Sequence, residues 1–439
     1  MTARRLLFIS YHFPPIGGAG AQRPASLARN LPDFGYEPAV VSAAGSEHDR
    51  WTPQDPSLAS TIAGIEVHRV TGPDPAPSSG WPARLERWLG RPSPWTRWWI
   101  DGATRTALSI ADGWEALVYT WSQPYASVDV GAELSRRLRK PWVADLGDPW
   151  ALDEMNIYPT ALHRRRDLDR MHSLLTGAAA IVMSTPEAVA RVRHAFPDFE
   201  NKPVIASPVG FDGPDFESPL PERGDGIFRI VHTGYLHTED GLRLRGQRRL
   251  RRALRGSYLP VDMLTRSHVY LLEAVEQVVN ANPALDGKIE VHLVGALSEV
   301  DREYANRSPA ARTHGFMPHD ETLKMMRSAD LLFLPMHDIP RGERAGLVPG
   351  KTYEYLATRR PILGAVPEGD ARDLLVEAGN AHVCDPPDSA CMARAITSEV
   401  ERWRKGLPTG KPREEVVARY ERRNQAQQIA ELFDSVLHR

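Results

Sequence analysis

The chain has 439 residues, which is room for two or three domains, each with a core of its own. Hydrophobic residues make up 42% and charged residues 25%, the balance of a soluble globular protein. The formal net charge of −2 excludes any global pull toward nucleic acid or anionic membrane, so such affinity would have to come from local patches. The first residues, MTARRLLFISYHFPP, hold an apolar run too short for a signal peptide or a membrane span. Cys384 and Cys391 are not in a CxxC arrangement, cannot build a zinc site alone, and suit a reducing compartment as structural thiols. A cytoplasmic protein is expected.

In chain order, Leu6 to Ser10 reads as a buried parallel strand, followed by a Gly/Pro loop (Pro14 to Gly20) and a helix from about Gln22 to Asn30. Short apolar runs follow at Ala39 to Val41, Ile65 to Val70, Ala116 to Thr120, Trp142 to Ala144, Ala179 to Met183 and Pro203 to Ala206. Helical patterns such as Ala126 to Leu138 and Pro186 to Ala195 separate most of them, so the segment reads as parallel βαβ units. Residues 210–226, rich in Pro, Gly and acid, read as a linker.

The alternation then resumes. Strands are expected at Phe228 to His232, Ile289 to Val294, Leu331 to Leu334 and Ile362 to Ala365. Helices are expected at Leu264 to Asn280, Asp320 to Ser328, Lys351 to Thr358 and Ala390 to Arg404, with one long amphipathic helix from Arg413 to Leu437. The fold class is α/β, with two Rossmann-like domains facing each other across a cleft. The expected boundaries are residues 1–209, a linker at 210–226, a nucleotide-binding domain at 227–412 and a closing helix at 413–439.

Gly346 to Gly364, GLVPGKTYEYLATRRPILG, carries the densest chemistry. A loop delivers Lys351 and Glu354 onto the first turn of a helix, where unpaired N–H groups and the helix dipole suit a phosphate or diphosphate. Lys351 adds a positive charge there, and Glu354 a carboxylate able to take two ribose hydroxyls. AGLVPGKT, residues 345–352, nearly spells a Walker A loop, but about ten residues separate it from the preceding strand and Pro349 removes a backbone donor. Near the N-terminus, Gly17-Gly18-Ala19-Gly20 does not give G-x-G-x-x-G in register; it reads as a loop that a phosphate or sugar could approach, or as a plain flexible loop.

Lys351 to Ala357 followed by Arg360-Pro361-Ile362-Leu363 resembles the donor segment of family 4 glycosyltransferases of the GT-B fold. SYHFPPIGGAGAQRPASLARNL (10–31), PWVADLGDPW (141–150) and IVHTGYL (230–236) resemble further family motifs in the expected order. The resemblance implies metal-free, retaining transfer of a sugar from a nucleotide-diphosphate sugar, a co-substrate rather than a cofactor. It implies Glu354 on the donor ribose, Lys351 on the diphosphate, Gly17 and Gly18 beside diphosphate and acceptor, and Gly234 opening the second domain's phosphate loop. It also implies that the last helix packs back on the first domain. Two positions depart from the pattern: Gly346 stands where members often carry a sugar-contacting glutamate, and Gly147-Asp148 where many have His-Asp.

Breaking the sugar–diphosphate bond builds charge on the phosphate, and Lys351 followed by Arg266 are the candidate cations for it. Asp148 or Asp145 could orient the acceptor hydroxyl, although Asp148 before Pro149 also fits a turn residue. His12 is a further candidate lining the site, and His232, inside a strand, reads as structural. Residues 81–99 interleave five tryptophans with four arginines, which fits either a membrane interface or aromatics over the first core. Residues 243–255 hold seven arginines and read as a mobile arm for phosphates or an anionic membrane, or as a solvated loop; nucleic acid is disfavoured, because the run has no aromatic platform. The expected protein is a glycosyltransferase acting on a lipid-linked saccharide or a small-molecule acceptor, in the cytoplasm or at the inner face of the membrane. The rivals are another GT-B enzyme, such as an epimerase or phosphorylase, and a non-catalytic nucleotide-sugar or polyanion binder.

Overall fold

Strand formation follows the apolar runs. In β1 (Arg4–Ser10), Leu6 to Ile9 are fully buried, as expected of a strand covered on both faces. The computed structural model describes residues 4–44, 54–72, 75, 88, 92–111, 113, 115–217 and 224–438. The other strands of the first sheet are β2 (Tyr36–Ser42), β3 (Glu66–Arg69), β4 (Glu115–Trp121), β5 (Trp142–Gly147), β6 (Ala180–Met183) and β7 (Val204–Ala206). They pair in parallel in the order β3-β2-β1-β4-β5-β6-β7. A second parallel sheet holds β8 (Phe228–Thr233), β9 (Ile289–Val294), β10 (Ala311–Gly315), β11 (Leu331–Pro335), β12 (Ile362–Ala365) and β13 (Ala381–Cys384), in the order β10-β9-β8-β11-β12-β13. Each sheet starts at a central strand, runs outward and then reverses. The reversal falls between β1 and β4 in one and between β8 and β11 in the other, and open α/β sheets bind ligands at such points.

The chain divides into two compact units. One holds the residues up to Gly210, Leu254–Tyr258 and those from Arg422 onward; the other holds Phe211–Ala253 and Leu259–Glu421. Residues 218–223 of the expected linker lie outside the described residues, while Gly213–Phe216 form a 3-10 turn. The expected single helix from 413 to 437 is two, Glu414–Ala418 and Arg422–Leu437. Between them the backbone turns aside to pair with Phe211, whose N–H donates to the Tyr420 carbonyl (3.0 Å). Arg422–Leu437 places Ala426, Ile429 and Phe433 in the first unit's core beside Tyr36 and Tyr119.

Other differences have plain causes. β10 is an exposed edge strand with no apolar alternation to read. Helix Ala161–Thr176 is rich in charge over Arg164 to Arg170, with Met171 and Leu175 as its fully buried residues. Among the described residues of the tryptophan-rich stretch, 94–99 lie in a helix whose tryptophans pack on the first core. Pro94–Ile110 is a helix, with Ser93 as N-cap accepting from the Thr96 N–H (3.1 Å) and Pro94 in its first turn. Trp99 is fully buried with its indole N–H on Ser127 Oγ (3.0 Å), and Trp95 and Trp98 pack on the same core. This corrects the interface expectation for those three. Trp81 lies outside the described residues, and Trp88 is exposed. The cysteines are not free thiols: Cys384 at the end of β13 and Cys391 in the first turn of helix Ser389–Arg404 form a disulfide. Among the described residues, no helix is long and apolar enough to cross a membrane.

Candidate functional site

In the second unit the candidate residues gather where β8 and β11 part. Helix Lys351–Thr358 begins after the long loop beyond β11, and Gly350, its N-cap, supplies no side chain to the first turn. Its position is fixed from below. Tyr355 is buried, and its hydroxyl accepts from the Thr233 N–H at the end of β8 (2.9 Å). Burial pushes its phenol well up, so it stays neutral. One turn earlier, Lys351 lies half-buried with Nζ 3.4 Å from His232 Nε2, while His232 Nδ1 donates to the Phe333 carbonyl (3.1 Å). His232, which reads as purely structural in the sequence, therefore touches the candidate lysine. A strand pattern cannot reveal this, because the contact depends on a helix more than a hundred residues away.

Gly234 and Gly295 make room for the loops. Gly234 has φ +95°, and a Cβ there would stand 2.9 Å from Lys351 Nζ; a Cβ on Gly295 would stand 2.5 Å from the Gly234 carbonyl oxygen. The backbone at 234 is thus bare beside a cation. Arg266 comes directly after the turn Met263–Thr265, where Asp262 accepts from the Leu264 N–H (3.2 Å), and its own carbonyl accepts from the His237 N–H (3.1 Å).

Electrostatics gives the cluster its character. Burial, and then the Arg266 charge, lower the Lys351 ammonium to about 7, with Glu354 opposing them. His232 is held well below its ordinary value by burial and by Lys351. His237 is lowered by burial and by the same two cations, while Asp240 acts the other way. Cations crowded around a bare backbone turn favour an anion, since each is uncomfortable until one arrives. Glu354, half-buried on the first turn of the same helix, has no hydrogen-bond partner among the described residues. Thr352, the position a Walker A loop would use on a metal, is fully buried, and its hydroxyl meets no partner among the described residues. No cluster of metal ligands occurs among the described residues.

In the first unit the corresponding point lies after β1, β4 and β5. Gly18 (φ +86°) caps helix Ala19–Asn30 without a side-chain bond, with Gly17 buried just before it. His12 is half-buried, its ring edge-on to Tyr11 at 4.8 Å and close against Gly20. Asp145 is closed to solvent. Arg23 binds it through two nitrogens (3.0 and 2.8 Å), Tyr119 donates at 2.5 Å, and the Gly147 N–H donates at 3.2 Å. Burial raises its carboxyl while Arg23 and Tyr119 hold it down. Asp145 thus holds the turn at Gly147 through that N–H, with its carboxylate engaged by Arg23 and Tyr119. Asp148, half-buried, accepts from Gln123 Nε2 (3.1 Å).

Sequence reasoning missed Trp150 and Asp153, just beyond Asp148. Trp150 has φ +45°, a costly left-handed conformation for a bulky side chain. It is held there by its indole N–H on Asp167 (2.7 Å), by stacking on Tyr125 (5.1 Å, 9°), and by Asn156 on its carbonyl (2.9 Å). Asp153 is buried beside it, its carboxyl pushed up to about 8 by desolvation and then by Asp148 and Glu154. Nothing in the local pattern signals either residue.

No protein-family model matches the chain, and no curated protein matches it in sequence. Solved structures do match. HepE of Anabaena in complex with UDP and glucose is similar over 98% of this chain and 100% of that one, with a TM-score of 0.61 and 17% identity. The N-terminal domain of Candida albicans trehalose-6-phosphate phosphatase matches over 99% and 97%, at 0.63 and 13%. The E. coli trehalose-6-phosphate structure bound with UDP-2-fluoro glucose matches over 98% and 98%, at 0.59 and 12%. At these identities the likeness gives the fold, which is GT-B, built from two Rossmann-like domains.

Proposed function

We propose that the protein is a nucleotide-sugar-dependent glycosyltransferase, with the donor on the second unit and the acceptor on the first. The observation that carries this reading is the pair Lys351 and Arg266 beside the bare Gly234 turn, at the head of the helix that bears Glu354. That arrangement suits a diphosphate with its ribose on Glu354. HepE of Anabaena holds UDP and glucose, and the E. coli structure holds a UDP-sugar analogue, so UDP is the first nucleotide to test.

As the anomeric carbon–oxygen bond breaks, charge grows on the leaving diphosphate. Lys351 and Arg266 stabilise it, an effect worth on the order of 3 kcal/mol for one well-placed donor. The acceptor oxygen forms the new bond to the anomeric carbon, and its proton passes to the departing diphosphate oxygen. Asp148 orients that hydroxyl, His12 lines the same side, and Asp145 acts only by holding the Gly147 turn. Membership of family 4, retention at the anomeric carbon and independence of metal are parts of the same reading. So are a cytoplasmic site of action and a lipid-linked or small-molecule acceptor. The rivals are another GT-B enzyme, such as an epimerase, which would turn over nucleotide-sugar with no acceptor present, or a phosphorylase, and a non-catalytic nucleotide-sugar or polyanion binder, which would turn over nothing.

Calorimetric titration with UDP, GDP, dTDP, ADP and ATP, without magnesium, tests the donor site. One nucleoside diphosphate should bind, and Glu354→Ala should weaken it roughly 10- to 150-fold, the range for lost hydrogen bonds to a charged group. Indifference of every nucleotide to Glu354 would remove the reading.

A further inference from the structure

Eight large apolar side chains are exposed among the described residues, and three of them, Trp88, Leu162 and Leu254, sit on one face of the first unit. The start of helix Ala161–Thr176 is its centre. His163 ties Trp88 to it: Nε2 donates to the Trp88 carbonyl (2.8 Å), Nδ1 accepts from the Thr160 hydroxyl (2.8 Å), and the two rings lie 5.5 Å apart. Trp88 and Leu162 are 62% and 56% exposed.

The strap Leu254–Tyr258, which ends the arginine-rich run, is anchored at the same place. The Gly256 carbonyl accepts from the Tyr158 N–H (2.9 Å), and a Cβ on Gly256 would overlap the Tyr158 carbonyl. The Tyr258 ring lies 4.7 Å from the Arg191 guanidinium and 5.9 Å from that of Arg164. Arg255 sits at φ +50°, a strained conformation for a residue with a Cβ. The strap is therefore a built feature, and it leaves Leu254 and Arg255 pointing outward and exposed. Arg165 and Arg166 are exposed on the first turns of the helix, and none of these three arginines makes an ion pair among the described residues. The acids nearby are Asp167, bonded to Trp150 and Tyr158, and Asp169, two residues further on.

We propose that this face docks on an anionic membrane surface, with Trp88, Leu162 and Leu254 entering the interface and Arg165, Arg166 and Arg255 meeting lipid phosphates. Charge complementarity selects the occupant. Unpaired arginines ask for anions, and protruding leucines beside a tryptophan gain free energy only where the anions cover an apolar layer. A nucleic acid would use the arginines and gain nothing from the leucines. Docking of this kind deepens the lipid-linked acceptor reading and rests on it for its purpose.

The test is sedimentation of the full chain with phosphatidylcholine vesicles, with and without phosphatidylglycerol, in the absence of donor and acceptor. Binding should require the anionic lipid and weaken with salt. Arg165→Gln combined with Arg166→Gln should lower partitioning roughly 30-fold. Leu162→Asp should lower it as well, while melting temperature and nucleotide binding stay unchanged. Absence of anionic-vesicle binding, or binding indifferent to both variants, overturns the proposal. So does heparin or RNA binding that fails in the arginine variant while Leu162→Asp leaves vesicle binding intact. Because no sugar transfer is measured, failure here is separate from failure of the donor site.

Discussion

Lys351 shows how one side chain can couple binding to pH. Its ammonium is lowered to about 7, first by burial and then by Arg266, against an ordinary value near 10.5. The folded-state value lies below the unfolded one, so between about pH 7 and 10 the unfolded chain holds a proton that the folded chain lacks. Over that window, stability from this group rises with pH. Binding runs the other way. A diphosphate favours the charged lysine, so nucleotide binding should take up close to one proton at pH 8 and almost none at pH 6. Affinity should fall as pH rises above 7, approaching tenfold per unit. Calorimetry in buffers of different ionisation enthalpy reads this uptake directly, and Lys351→Met should abolish it. Uptake that survives in Lys351→Met would move the titration to His237 or another group. Neither the pKa nor its cause was legible in the sequence, because burial and the approach of Arg266 to Lys351 arise only through the fold. What the sequence did offer was the pattern K-x-x-E at a helix start, which is local.

At the scale of elements, the same division between local and distant holds. Buried parallel strands such as β9 and β12 announced themselves as continuous apolar runs, whereas β10, with Arg312, Thr313 and His314 exposed, offered no pattern to read. The segment before Ile110 is the instructive case. Pro92 and Pro94 suggest a loop, yet Ser93-Pro94 is also a helix-start signature, and tertiary packing decides the outcome. Trp99 is fully buried against Ser127, while Trp88 lies in the open. Trp99→Ala should therefore cost about 3–5 kcal/mol of stability, as large aromatic truncations in cores do. Trp88→Ala should stay within about 0.5 kcal/mol, as surface changes do. Urea unfolding of the two variants distinguishes them. Similar losses from both would mean that Trp88 is packed rather than exposed.

The chain as a whole is woven rather than strung. The first unit draws on three separated stretches, and its core is completed by Arg422–Leu437 from the far end of the sequence. Ile429 and Phe433 are fully buried there, with Phe433 5.1 Å from Tyr36 and 5.5 Å from Tyr119. Arg422 also donates to Gln22 (2.9 Å) and Arg4 to Asp434 (2.5 Å). Removing this helix uncovers several core side chains, each worth about 2–5 kcal/mol, against a total domain stability of about 5–15 kcal/mol. Ending the chain at Glu421 should therefore unfold the first unit. The second unit keeps its own sheet and the core around Ile230, Leu293 and Phe333, together with Lys351, Arg266 and Glu354. The truncated chain should accordingly show a single remaining thermal transition that nucleotide still raises, with exchange protection lost from β1 and β4 and kept in β8 and β11. If protection is lost from both sheets together, the two units fold as one cooperative body, and the second unit depends on the first for its stability.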